Sequence, residues 1–251
     1  MKIAIIPGHG GFDPGACNKN TGAIEAKGNL AVALKLDEIL RYNGFETVLS
    51  RKENIACGGA TCVKDDITNQ INFANNSGAD IVVSIHFNSA TNKTAHGVEV
   101  LYTNYPDLNQ KEIQLANMVL NELVKATGMT SRGIKETPQG VGLIKWVLKP
   151  CILSENGFIS NDQEGSWCTD DAKQWIIAEA HARAICRLWN MAYKSPRDEG
   201  GVQVVDIDQA LKVLAQNYVI SSPDYWKQAA GCVKYLDSLL INMAQKLQEV
   251  K

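Results

Sequence analysis

Lys2-Ile3-Ala4-Ile5-Ile6-Pro7-Gly8-His9-Gly10-Gly11-Phe12-Asp13-Pro14-Gly15 opens the chain as a short apolar strand that runs into a glycine-rich turn. Ile3, Ile5 and Ile6 are β-branched residues suited to a buried strand. The glycines and prolines that follow stop both strand and helix. His9 stands at the switch, and in open α/β sheets ligands sit just beyond the carboxyl ends of the strands. A turn histidine held by backbone hydrogen bonds is the plainer reading of the same residue. No Lys-Ser/Thr follows the glycines, so a phosphate loop has no support.

Outward from that stretch, strand and helix patterns alternate. A loop through Cys17-Asn18-Lys19-Asn20-Thr21-Gly22 leads to Glu25. Val32, Ala33, Leu36, Ile39 and Leu40 then fall on one helical face, and Asn43-Gly44 ends the helix. Phe45–Leu49 is the next strand, which makes a βαβ unit with a parallel pair. Asp65 or Asp66 is expected to cap a second helix with Ile67, Ile71 and Ala74 on its face. Ala79–Asn88 reads as a buried strand with His86 near its end, and Gly97–Tyr102 as another strand. Residues 108–127 form a helical pattern through Ile113, Ala116, Leu120 and Leu123. Ser131 to Trp146 reads as irregular. Pro150–Ser154 is a short strand ending at Glu155, and residues 170–193 form a long helix.

These elements predict an α/β fold: a twisted, mostly parallel sheet flanked by helices on both faces, with a small C-terminal all-helical module. The domain would span 1–193, the charged Pro/Gly stretch 194–201 a linker, and 202–251 the module. Helical patterns at Asp206–Gln216 and Tyr235–Gln248 place Leu211, Leu214, Leu236, Leu239, Leu240 and Met243 at packing positions. Tyr218, Tyr225, Trp226 and Tyr235 are either core aromatics or carbohydrate-facing ones.

Composition limits the function classes. The 251 residues carry a formal net charge of −2, with 45% apolar and 21% charged residues. That balance gives no electrostatic case for nucleic acid or an anionic membrane surface. No window is long and apolar enough to span a membrane. Seven cysteines at irregular spacing, with no C-x-x-C, support neither a zinc knuckle nor a thioredoxin-type site. They read as free thiols, including Cys57 and Cys62 across the Gly58-Gly59-Ala60 loop. The apolar run at 2–6 is too short for a signal peptide.

Three strand ends carry acid–base or ligating residues, His9, His86 and Glu155, and Glu25 stands at a helix entrance. Two imidazoles and a carboxylate are a common ligand set for catalytic zinc, which keeps an open position for water. A further carboxylate off the metal can then move a proton between water and leaving group. The intervals of 16, 61 and 69 residues contain no local ligand motif. Each residue therefore also has a plainer reading: His86 as a core histidine, Glu25 as a first-turn acid on the helix dipole, Glu155 as a surface acid. His96 reads as a loop residue and His181 as a helix-face residue. Cys17 is a weak candidate nucleophile, because no orienting third group can be placed. Asn88 and Arg132 are candidates for contact with substrate or for a structural role.

Seven ordered blocks resemble a known family: Gly8–Ala16; Glu25 with Asn29-Leu30; Ser50-Arg51; Ala79-Asp80 with Ser84–Asn88; Gly97-Val98-Glu99; Arg132–Lys135; and Pro150–Asn161. Over residues 1–193 the chain is similar to the zinc-dependent N-acetylmuramoyl-L-alanine amidases, the amidase-3 family of autolysins and phage endolysins. The resemblance implies His9, Glu25 and His86 as ligands of Zn2+ and Glu155 as the general acid/base. It implies cleavage of the amide between N-acetylmuramic acid and the L-alanine of the stem peptide. Peptidoglycan of a Gram-positive wall would be the partner, with wall binding or homodimerisation assigned to 202–251. The enzyme would be made in the cytoplasm and reach the wall after release by a holin or lysis, or in a sporulating mother cell. Pro7 departs from the acidic residue often found before Gly-His, and Ser154 from the usual apolar residue before the glutamate. The glycines after Pro7 are expected to leave open space beside the metal for a sugar–peptide strand. A non-catalytic wall-binding or regulatory module, and a zinc peptidase acting on another amide, are the competing functions.

Overall fold

A computed structural model describes residues 1–103, 110–136 and 142–197, together with the single positions 211, 215, 221, 222, 226, 227 and 240. The chain divides into two compact units, Met1–Lys194 and Ser195–Lys251. In the second unit Leu211 and Leu240 are buried. The remaining helical assignments there, and the roles read for Tyr218, Tyr225 and Tyr235, lie outside the described residues.

The first unit is built on a six-stranded sheet, ordered β4-β1-β5-β8-β6-β7. The strands are β1 (Lys2–Pro7), β4 (Glu46–Leu49), β5 (Ile81–Asn88), β6 (Val98–Tyr102), β7 (Ser131–Glu136) and β8 (Cys151–Phe158). The first four in spatial order run parallel, and β6 joins β8 antiparallel with β7 parallel to it. The carboxyl ends of β1, β5 and β8 thus share an edge with the amino ends of β6 and β7. A two-stranded ribbon, β2 (Cys17–Asn18) with β3 (Ala23–Ile24), fills the segment read as loop and delivers the chain to α1 (Glu25–Tyr42).

Helices cover both faces. α1, α3 (Lys111–Thr127) and α6 (Asp171–Leu188) enclose one apolar core with Ile3, Ile5, Val83, Ile85, Phe87 and Ile152. α2 (Val63–Asn76) and the short α4 (Gly142–Trp146) cover the other face over Ala4, Ile6, Val82, Leu101 and Leu153. The α1 face read from the sequence is buried without residue, at Val32, Ala33, Leu36, Ile39 and Leu40. Each such Leu or Ile contributes about 1.5–3 kcal/mol on burial. After the short α5 (Asp162–Gly165), α6 is capped by Asp170, whose carboxylate accepts from Lys173 N at 3.0 Å.

Several boundaries differ from the sequence reading. α2 begins at Val63, so neither Asp65 nor Asp66 is its cap. Asp66 instead accepts from Cys57 N at 2.6 Å and from Gln70 Nε2 at 2.6 Å, which ties the preceding loop to the helix. The α3 stripe is rotated: Leu115, Ala116, Val119, Leu120 and Leu123 are buried, and Ile113 is only partly so. Ser131–Glu136 is an edge strand rather than irregular chain. A bulge there, with Gly133 at φ +84°, breaks the alternation that marks a strand in sequence. β8 continues through Glu155 to Phe158, so Glu155 lies inside a strand. No described helix is long and apolar enough to cross a membrane.

Candidate functional site

The shared sheet edge brings the dispersed residues together. His9 leaves β1 in a tight loop, closed by Gly10 N to Asp13 O (2.8 Å) and Asp13 N to Gly10 O (3.1 Å). His9 itself takes φ +60°, a conformation that costs a non-glycine residue about 1 kcal/mol or more. Its Nδ1 bonds Asp13 Oδ2 at 2.7 Å, which leaves Nε2 facing Glu25 Oε1 at 3.2 Å. Glu25 is the first residue of α1, and its other oxygen accepts from Ala16 N at 2.9 Å. His86 reaches the same Glu25 Oε1 through Nδ1 at 3.1 Å. One ligating atom from each of His9, Glu25 and His86 lies within 4.8 Å of the others.

Two imidazoles and one carboxylate at this spacing fit a divalent transition-metal ion such as zinc. The carboxylate behind His9 fixes the ring so that one nitrogen is left to ligate. Without a metal, His9 and Glu25 pair, and His86 shares the same carboxylate oxygen. Burial would lower His9, but the Glu25 and Asp13 carboxylates outweigh it and raise its pKa to about 9. Burial would raise Glu25, but bonds from His86 and His9 hold it well below the usual carboxylate range.

Glu155 stands directly opposite His86 in the β5–β8 register, and opposite Glu99 in the β8–β6 register. Its Oε2 is buried and has no hydrogen-bond partner among the described residues. Burial raises its pKa well above the ordinary value; the Glu25 and Glu99 charges add to this, and His9 and Lys135 oppose it. A carboxyl group so placed holds a proton more tightly than a solvated one, which suits the acid half of a general acid/base role.

A profile of the amidase-3 family, described as N-acetylmuramoyl-L-alanine amidase, matches residues 3–187. The chain belongs to the amidase-3 family. The sporulation-specific N-acetylmuramoyl-L-alanine amidase of Bacillus subtilis (strain 168) is 30% identical, over 81% of this chain and 74% of its own. The CwlD amidase of Clostridioides difficile, solved in complex with the GerS lipoprotein, superposes with a TM-score of 0.67 at 28% identity. That match covers 75% of this chain and 98% of CwlD. The catalytic domain of CwlV, an N-acetylmuramoyl-L-alanine amidase from Bacillus (Paenibacillus) polymyxa var. colistinus, gives a TM-score of 0.65 at 29% identity, covering 76% and 99%. Amidase-3 proteins are metal-dependent, and His9, Glu25 and His86 form a candidate metal site in this one.

Within this amidase fold, several supporting residues were not assigned roles by sequence. Arg51 is buried and donates to the carbonyls of Pro7 (3.2 Å), Gly8 (3.0 Å), Ala26 (2.9 Å) and Glu53 (3.0 Å). It binds the His9 loop to the start of α1. Asn29 Nδ2 donates to Gly8 O at 3.2 Å and lies 3.4 Å from Glu25 Oε1. Asp13 supplies the carboxylate behind His9, so Pro7 does not leave that ring without one.

The glycines of the loop do not leave open space. A Cβ on Gly8 would lie 2.2 Å from His86 Nε2, one on Gly15 2.7 Å from Glu25 Oε2, and one on Gly10 2.3 Å from Ile55 O. They allow close packing around the ligating groups. Ser154 is likewise engaged: its Oγ lies 2.8 Å from His181 Nε2. His181 is fully buried, and its Nδ1 donates to Ile177 O at 2.9 Å. His96 is exposed, as read. Cys17 is exposed and its Sγ contacts only Gly15 O among the hydrogen-bonded groups described, at 3.8 Å, so no Cys–His pair forms. Cys57, Cys62, Cys151, Cys168 and Cys186 are also free.

Proposed function

We propose that this chain is a zinc-dependent peptidoglycan hydrolase that cleaves the amide between N-acetylmuramic acid and the L-alanine of the stem peptide. The observation that carries the reading is the meeting of His9, Glu25 and His86 at one sheet edge, with Glu155 in register beside His86, in an amidase-3 chain. His9, Glu25 and His86 would hold the metal. Zn2+ there would supply Lewis acidity toward the scissile carbonyl. Glu155 takes a proton from the attacking water and returns it to the departing alanine nitrogen. Its buried, unpartnered Oε2 supports that role, since burial keeps its affinity for a proton high. Asp13 keeps His9 oriented throughout, and Arg51 keeps the loop in place.

In this reading residues 1–193 are the catalytic domain, 194–201 a linker, and 202–251 a module for wall binding or dimerisation. The substrate is the wall of a Gram-positive bacterium, reached after the enzyme leaves the cytoplasm. The names of the matched Bacillus proteins include both sporulation- and germination-specific amidases, which favours an autolysin over a phage enzyme.

Mass spectrometry of products from purified muropeptides tests the bond. Free lactyl-muramic sugar with an intact stem peptide is expected; cuts within the stem would establish a peptidase instead. Glu155→Ala should keep zinc by elemental analysis and lose at least about 100-fold in turnover. Full hydrolysis by that variant would overturn the assignment of Glu155. His86→Ala should lose the metal.

A further inference from the structure

The sheet beside Glu155 carries charged groups that the hydrolytic step does not use. His86, Glu155 and Glu99 stand in register on the adjacent strands β5, β8 and β6. β7 is the next strand outward. Arg132 and Lys135 are three residues apart on it, so simple alternation would send them to opposite faces. The bulge at Gly133 adds one residue and returns both to the face of Glu99. Both then bond one oxygen, Glu99 Oε2: Arg132 Nε at 2.7 Å and Lys135 Nζ at 2.6 Å. Glu99 Oε1 accepts from Asn88 Nδ2 at 3.1 Å.

The three charges do not balance. Glu99 is buried, whereas the Arg132 and Lys135 side chains remain 37% and 42% exposed. Within this trio one carboxylate offsets one of the two cations, and the second cation faces solvent and, one strand inward, Glu155. Glu136 follows Lys135 and by strand alternation points to the other face. Arg132 also lies over the Phe158 ring, 4.8 Å from its centroid, which limits where its guanidinium can go.

We propose that Arg132 and Lys135, aligned by Glu99, bind a carboxylate of the stem peptide one or two residues beyond the scissile amide. They thereby favour acidic over amidated stems. The proposal rests on the amidase reading for the position of the scissile bond. Glu99 is one strand spacing from Glu155, about 5 Å. Each extended residue adds about 3.4 Å of reach. A carboxylate on the second stem residue therefore meets the cation heads while the scissile nitrogen lies at Glu155.

The test uses two N-acetylmuramoyl-L-alanyl dipeptides whose second residue ends in a free α-carboxylate or in its primary amide. The metal-loaded protein should hydrolyse the acid with a kcat/KM about tenfold above that for the amide, the scale of a partly exposed charge-assisted bond. The double variant Arg132→Gln, Lys135→Gln should bring that ratio near one. Lys135→Gln alone leaves Arg132 on Glu99 and should lower it part of the way. A wild-type ratio of one, or a ratio unchanged in the double variant, overturns the proposal. The ratio compares two substrates on one protein, so a general loss of fold or activity does not move it. Calorimetric binding of the two free stem dipeptides gives the same comparison without hydrolysis. No release of lactyl sugar, with acid preference intact in binding, would remove the amidase reading and leave this corner standing. Hydrolysis with no preference would do the reverse.

Discussion

At residue scale, the tightest constraint on the candidate metal site falls on a residue with no side chain. A methyl group at position 8 would lie 2.0 Å from Cε1 of His86 and 2.6 Å from its Nδ1. Gly8 does not need a left-handed backbone, so the clash would fall on the imidazole rather than on the main chain. Gly8→Ala should therefore keep the fold, lower the melting temperature only modestly, and weaken zinc binding by about tenfold or more. Competition with a chromophoric chelator measures this; unchanged affinity would mean that His86 is not a ligand. The candidate ligands stood out weakly in sequence, each at a strand end or helix entrance, and it was the resemblance of the surrounding blocks to a family that singled them out. Gly8 was legible only as a turn breaker. That its missing Cβ accommodates a ring 78 positions away follows from the β1–β5 register, which sequence does not display. The same holds for Asp13, whose bond to His9 depends on the loop closing on itself.

At the scale of elements, two buried polar residues connect the scaffold to the site. Arg51 follows β4 and bonds carbonyls of the His9 loop and of α1. Lysine has no planar fork and cannot reach carbonyls in several directions at once. Arg51→Lys should cost about 2–4 kcal/mol in urea unfolding, because it leaves buried carbonyls unpaired. His181 connects α6 to Ser154, next to Glu155. Its burial lowers the pKa from 6.5 to about 4, so the folded state favours the neutral ring. The contribution is complete above pH 6.5, declines as the unfolded chain takes up a proton below that, and is gone below about pH 4. Over this window the loss is on the order of 3 kcal/mol. His181→Gln should remove that part of the pH dependence, read as a flatter plot of the urea midpoint between pH 6.5 and 4. A plot parallel to wild type would show that His181 is already charged or solvated. Sequence placed His181 on a helix face and could not say that this face is the buried one. α6 is long enough to offer apolar residues on most sides. Helix periodicity and buried parallel strands were readable for the same physical reason, a regular apolar repeat. The β7 edge strand lacks that repeat, having polar Ser131, Arg132 and Lys135 around a glycine bulge, and so read as irregular chain.

At the scale of the whole molecule, Met1–Lys194 contains both apolar cores, the sheet and every residue assigned to the site. α6 completes one of those cores, and Lys194 is tied back to Asn43 at the end of α1 by two hydrogen bonds of 2.8 Å. Among the described residues, the hydrogen-bond partners of His9, Glu25 and His86 all lie within that unit. Deleting residues 199–251 should leave a folded protein that binds zinc and hydrolyses soluble muropeptides within about threefold of the full chain. Insoluble wall is a different substrate, since a second attachment raises the effective concentration of the catalytic unit at its surface. Loss of such an attachment weakens retention by about tenfold or more. The truncated protein should accordingly fall away from purified cell walls in a sedimentation assay while its turnover on soluble substrate persists. Size-exclusion with light scattering on both forms separates the two roles proposed for the tail. A drop from dimer to monomer mass with wall retention unchanged assigns it to dimerisation, and lost retention at constant mass assigns it to the wall. Loss of soluble turnover together with zinc would instead place residues 199–251 within the catalytic unit and overturn the division at 194.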